Sequence, residues 1–325
     1  MAQQSEFAVE EVTVDLARLR IGFVNVYFAG AARGVAGTLE QNPMSWALVD
    51  AGLAMGAARI LRVAADRFGV DSRPAAIVLT HGHFDHVGAL EALLGVWDVP
   101  VYAHTAELPF LTGQADYPPP DLTVGGGLPA RLSPNSPERG IDLGERVQPL
   151  PASGDVPGMP RWRWIHTPGH SPGHVSLFRA GDRLMLAGDA VSTTRQELAY
   201  AVRMQRQQLA GPPACFTIDW DKAGRSVTTI ASLKPLLLAA GHGEPMRGAS
   251  LPDDLAVLAR DFNRRARPSH GRYIDHPAIA DDERVVALPA PSRSGRVRWG
   301  TLSGVAAAGF AGTWLYRRFG KRAGT

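Results

Sequence analysis

The stretch LTHGHFDHVGAL (residues 79–90) places His81, His83, Asp85 and His86 within six positions of a chain that has only ten histidines. It follows AAIVLT (75–80), a short apolar run that reads as a buried strand. A strand that ends at Thr80 and turns at Gly82 frees the imidazoles to converge from a loop. Asp85 and His86 then stand at the start of the next helix. Imidazole and carboxylate together are the donor set of Zn, Fe or Mn sites.

Working outward, the same context recurs. SWALVDAGL (45–53) reads as a buried strand that ends at Asp50, and VPVYAH (99–104) as the strand after the helix GALEALLGVW. VEEVTVDLARLRIGFVNVYFAG reads as strands, AARILRVAADRFGV as a helix stopped by Gly69. In the second half His170 follows a strand in HTPGHSPGH, Asp189 follows RLMLAG, and His242 follows LLLAAG. Residues at strand ends can meet in one cleft. Helices are expected over 194–211, where Tyr200 would be a packing aromatic, over 221–233 and over 253–266. Strands and helices alternate in both halves, which suits two sheets covered by helices. Residues 113–140, rich in Pro and Gly, read as a long surface loop, a lid or substrate-lining insertion.

The segments THGHFDHVG, HTPGHSPGH, AGDA and GHGEP, in this order and spacing, resemble the metallo-β-lactamase superfamily across residues 10–265, and more closely its glyoxalase II-like hydrolase branch. The resemblance implies an α/β (α+β) fold, a four-layer αββα sandwich with two metals at one edge of the sheets. It implies that His81, His83 and His170 bind one metal, that Asp85, His86 and His242 bind the other, and that Asp189 bridges them. Asp50 matches a carboxylate behind the ligands that orients an imidazole. His166 and His174, which flank the TPGH segment, fall outside that set. The implied activity is hydrolysis of a small ester, thioester or lactone by a metal-bridging hydroxide, with Asp85 taking up a proton. Two divalent ions are expected, zinc first, with iron or manganese compatible. The alternative is a mononuclear-iron persulfide dioxygenase-like oxidoreductase.

Composition narrows the partners. The net charge of +3 argues against a general nucleic-acid binder, so a small molecule is the expected substrate. With one cysteine, Cys215, there is no intramolecular disulfide and no cysteine-based zinc site, and the thiol reads as buried and structural. The first residues carry no secretory pattern, so a cytoplasmic location is expected. Residues 266–298 read as a linker. Residues 299–318 read as an apolar helix with 18 consecutive uncharged residues between arginines, a candidate membrane contact at the short end of the spanning range. Oligomeric state is not legible from these patterns.

Overall fold

The alternation of side chains along the strands decides the layering. In a strand, successive residues face opposite sides. Leu48, Ile77 and Leu79 join one apolar cluster with Ile60, Phe68 and Leu90, whereas Ala47, Val49, Ala76 and Val78 join another with Leu177, Leu184 and Leu186. Met185, Ala187 and Leu238 face a third cluster, with Trp220, Val227 and Leu255. The middle cluster is therefore built by two sheets against each other, and the outer two by each sheet against its own helices. This is the expected αββα sandwich.

The structure, a computed structural model, describes residues 9–34, 45–124, 140–280 and 285–290. The first sheet runs in the order β1 (Val9–Thr13), β2 (Leu16–Ile21), β3 (Val24–Ala29), β4 (Ala47–Val49), β5 (Ala76–Val78), β6 (Val101–Ala103) and β7 (Val147–Pro149). Pairing is antiparallel as far as β4 and parallel from β4 to β7. The second sheet contains β8 (Asp155–Val156), β9 (Met159–His166), β10 (Val175–Arg179), β11 (Leu184–Gly188), β12 (Leu237–Ala240) and β13 (Met246–Arg247), in the reverse of that order. Only β11 and β12 pair in parallel there.

Helix α1 (Ala57–Phe68) buries Ile60, Val63, Ala64 and Phe68 on one stripe and stops where Gly69 takes φ 111°, a conformation that favours glycine. Two short helices, α2 (Phe84–Val87) and α3 (Leu90–Leu94), follow β5, and α4 (Leu108–Leu111) follows β6. The second sheet is covered by α6 (Trp220–Ser232), capped by Asp219, and α7 (Leu251–Arg260). Between β11 and α6 lies α5 (Ala199–Met204), and α8 (Phe262–Arg265) follows α7.

Several expectations are corrected. The helix expected over 194–211 is only Ala199–Met204, ended by Gln205 at φ 49°. Its flanks return as a bridge between Ser192 and Ala210, and Gln208 N–H donates to the Thr193 carbonyl, so backbone pairing replaces helix. Tyr200 is 67% exposed rather than packed. The GALEALLGVW helix contracts to five residues. Within 266–298, Tyr273 and Ala278 are buried in the second helix–sheet core, and β14 (Ile279–Ala280) pairs with β15 (Val285–Ala287). All described residues fall within one compact unit. Among them no helix is long and apolar enough to cross a membrane. The C-terminal helix expected over 299–318 lies outside the described residues.

Candidate metal centre

Four of the site's segments leave parallel strands at their C-terminal ends. Asp50 follows β4, and His81 and His83 follow β5 by a few residues. Asp189 follows β11 and His242 follows β12. His170 sits in the loop that enters β10, which is antiparallel to β11 and so begins at the same edge. Helix α2 adds Asp85 and His86. The two sheets are tied together here: Asn25 Nδ2 on β3 donates to the carbonyls of Ala240 (2.9 Å) and Gly243 (2.7 Å), and the Tyr27 hydroxyl to Ala240 (2.7 Å).

All seven expected ligands meet in this cluster. Three groups each bring their donor atoms within 4.8 Å of one another: His81 with His83 and His170, His81 with His86 and Asp189, and Asp85 with His86 and His242. His83 Nδ1 lies 3.0 Å from His170 Nε2. Asp189 Oδ2 lies 3.0 Å from His242 Nε2, 3.5 Å from His170 Nε2 and 3.6 Å from His86 Nε2. Asp85 Oδ2 stands 3.5 Å from His242 Nε2. The buried atoms His81 Nε2, His86 Nε2 and Asp189 Oδ1 have no hydrogen-bond partner. A buried polar atom left unpaired is costly, and unpartnered donor atoms within a cluster of imidazoles and carboxylates fit divalent metal ions.

The hydrogen bonds behind these side chains fix how their rings are turned. Thr80 N–H donates to Asp50 Oδ1 (2.8 Å), and the Thr80 hydroxyl to Asp50 Oδ2 (2.8 Å). With its proton committed, Thr80 Oγ1 can only accept from His81 Nδ1–H, 3.1 Å away. His86 Nδ1–H donates to Asp50 Oδ2 (2.8 Å). Likewise the Thr217 hydroxyl donates to the Pro213 carbonyl and accepts from His170 Nδ1–H, and His242 Nδ1–H donates to the Phe23 carbonyl. Four imidazoles thus turn Nδ1–H to a fixed partner and Nε2 toward the cluster, where His242 Nε2 lies 3.0 Å from Asp189 Oδ2 and His170 Nε2 lies 3.0 Å from His83 Nδ1. Fixing the tautomer from behind is what metal-ligating histidine needs.

A family model for the metallo-beta-lactamase superfamily matches residues 32–242. The chain belongs to this superfamily. It is 47% identical over 241 residues, covering 74% of this chain and 88% of the relative, to a probable metallo-hydrolase, YflN, of Bacillus subtilis (strain 168). A second probable metallo-hydrolase of that organism, YybB, is 32% identical over 171 residues, 53% of this chain and 65% of the relative. In fold the chain is similar to the metallo-beta-lactamase family protein TTHA1429 from Thermus thermophilus, with a TM-score of 0.50 and 20% identity over 78% of this chain and 80% of that one. The relatives' names support a hydrolase-type enzyme, and divalent metal binding is typical of the superfamily.

The electrostatics of this metallo-beta-lactamase-type centre divide the histidines. Burial, reinforced by neighbouring imidazoles, pushes His81 and His170 well below the ordinary histidine range and His83 down to about 3. These three are neutral donors. Burial opposes charge on His86 as well, but Asp50, Asp189 and Asp85 outweigh it and raise that imidazole. His242 is raised in the same way, chiefly by Asp189. Asp189 is buried too, yet His242 and His86 hold it well below the carboxylate range, whereas burial raises Asp85.

His174 stands beside the cluster without joining it. Its Nε2 accepts from the Asp189 backbone N–H (2.8 Å), and its Nδ1–H donates to Thr167 Oγ1 (2.9 Å). Both ring nitrogens are spent on orienting the Asp189 turn. His166 is farther off, bonded to the Pro172 carbonyl and stacked on His104. Cys215 is buried, and burial pushes its thiol up to about 12, so it is no nucleophile.

Sequence reasoning missed the aromatic walls: Phe23 stacks on His242 (5.8 Å between centroids) and Phe216 lies against His83 (5.5 Å) and Phe84 (6.1 Å). It also missed Glu107, which stands four positions past β6 and shares the strand-end placement that singled out His170, Asp189 and His242. A cavity of about 630 Å³ adjoins Gly82, lined by Leu53, Phe84, Leu94, Ile141 and Leu143 with Arg146 among them.

Proposed function

We propose that this chain is a two-metal hydrolase of a small ester, thioester or lactone, of the glyoxalase II-like kind. His81, His83 and His170 would hold one ion, Asp85, His86 and His242 the other, and Asp189 would reach both. Zinc is the first expectation for this imidazole and carboxylate set. The observation that carries the reading is the second donor group, Asp85 with His86 and His242, within 4.8 Å of one another. A mononuclear dioxygenase has no use for it as ligands.

Two such ions, when bound, supply Lewis acidity to a substrate carbonyl and acidify water. The chain's own residues do the rest. Asp50, Thr80, Thr217 and the Phe23 carbonyl hold the imidazoles in the donor tautomer. Asp85, at the cluster and raised by burial, is the carboxylate suited to take the proton of the attacking water. The half-buried rings of Phe23, Phe84 and Phe216 favour an uncharged acyl group and keep bulk water from it. No side-chain nucleophile is needed.

The test is elemental analysis of protein purified without added metal, followed by turnover on a thioester, a lactone and a phosphodiester. Two equivalents of zinc with acyl hydrolysis are expected. One equivalent of iron, with oxygen consumed on a persulfide, would replace this reading with the dioxygenase.

A further inference from the structure

Glu107 is wholly buried at the end of the turn Thr105–Glu107 that follows β6. A buried carboxylate is costly unless its lone pairs are filled, and this one receives four donors. Its Oε1 accepts from the Ser171 hydroxyl (2.7 Å) and the Gly173 N–H (2.7 Å). Its Oε2 accepts from the Gly82 N–H (2.9 Å) and from the Tyr117 hydroxyl. A carboxylate offers about four acceptor sites, so both oxygens are saturated.

Where the donors come from matters more than their number. Gly82 is the residue between His81 and His83. Ser171 and Gly173 belong to the loop of His170. One carboxylate therefore clasps the two loops that carry the whole three-histidine group, and it makes no such bond to Asp85, His86 or His242. The fit is close: a Cβ at Gly173 would come 2.8 Å from Glu107 Cγ, and one at Gly82 would strike the Tyr117 hydroxyl. Tyr117 also meets His83 edge to face, with 4.7 Å between centroids, and is stacked on Phe110 at 4.1 Å.

We infer that Glu107, with Tyr117, is a positioning residue that sets the spacing of His81, His83 and His170, and so the affinity of one metal site and not of the other. The inference rests on the two-metal reading. In Glu107→Gln the volume is kept, but an amide NH2 must face two donors. One loop is released from the clasp. Loss of a group that orients ligands from behind weakens metal binding by about tenfold to a hundredfold.

The test is titration of the full metal-free chain with cobalt(II), followed by calorimetry and visible absorption. The wild type should take up two equivalents. Glu107→Gln should bind one of them as the wild type does and the other about tenfold to a hundredfold more weakly, and the weakened equivalent should be the one that His83→Ala loses. Tyr117→Phe, which keeps the carboxylate and three of its donors, should show the same selectivity to a smaller extent, and it serves if Glu107→Gln does not fold. Equal weakening of both equivalents would mean that Glu107 serves general stability, and unchanged affinity for both would mean it serves neither site. Either result overturns the inference while the two-metal reading stands. A wild type that binds no cobalt would overturn the reading itself and the inference with it.

Discussion

Asp50→Asn tests the tautomer argument most directly, because it changes one atom and almost no volume. Asp50 is buried and accepts three hydrogen bonds, from Thr80 N–H, the Thr80 hydroxyl and His86 Nδ1–H, each at 2.8 Å. An asparagine amide can take either of two orientations. With its oxygen toward His86, its NH2 faces the Thr80 N–H, donor against donor. With its NH2 toward His86, the imidazole must accept at Nδ1, and its proton moves to Nε2, the inward atom. The Thr80 hydroxyl is then released to donate to His81, which moves that proton inward as well. The first orientation leaves the Thr80 N–H unpaired at the strand end that carries His81, and the second turns two inward nitrogens into N–H groups, so both cost metal affinity. An outer partner of this kind is worth about tenfold to a hundredfold, or about 1.4–2.8 kcal/mol. Calorimetric titration of metal-free protein with zinc should show the loss at both equivalents, since in the proposed site His81 would hold one ion and His86 the other. The folded chain should lose only the cost of one buried unsatisfied donor, about 1–3 kcal/mol, read from denaturant unfolding. Wild-type affinity for both equivalents in a folded Asp50→Asn protein would refute the reasoning.

Further predictions concern the metals and the frame. His83→Ala should lose one metal equivalent together with turnover; full stoichiometry and full activity in that variant would rule out His83 as a ligand. Chelation of the metals should lower the melting temperature, and zinc should restore it in proportion to the logarithm of free metal, because the donors converge only in the folded chain. Asp15 is partly buried, but its bond from Thr13 and the guanidinium groups of Arg179 and Arg161 hold its carboxyl below the ordinary aspartate range. Its contribution is therefore complete above that range and lost as pH falls through the lower folded value. Asp15→Asn should cost about 1–2 kcal/mol at neutral pH, and acid unfolding should show the difference shrink as pH falls below the ordinary aspartate range. Leu177→Ala, at a wholly buried position between the sheets, should cost about 2–5 kcal/mol in denaturant unfolding.

The family motifs and four of the seven clustered donors were legible in a single stretch, because His81, Asp85 and His86 are set by one strand end and the helix turn that follows it, with His83 in the loop between. His170, Asp189 and His242 were legible by placement, each just past a strand, and Asp189 and His242 stand out because β11 and β12 are apolar along their whole length, so that the polar positions begin at their ends. What lay beyond the sequence was the pairing of distant segments. Glu107 reads as one acid in a turn until folding brings Gly82 and Ser171 to it. Thr217 and the Phe23 carbonyl become imidazole partners only when loops from separate elements meet. The expected helix over 194–211 failed for the same reason: its local pattern is helical, but Ser192 and Ala210 bond across its base and take the backbone groups a longer helix would use. Local chemistry chose which atoms can bind a metal. Tertiary contacts chose which nitrogen of each ring is bare, because a tautomer is set by the partner behind it, and that partner comes from another part of the chain.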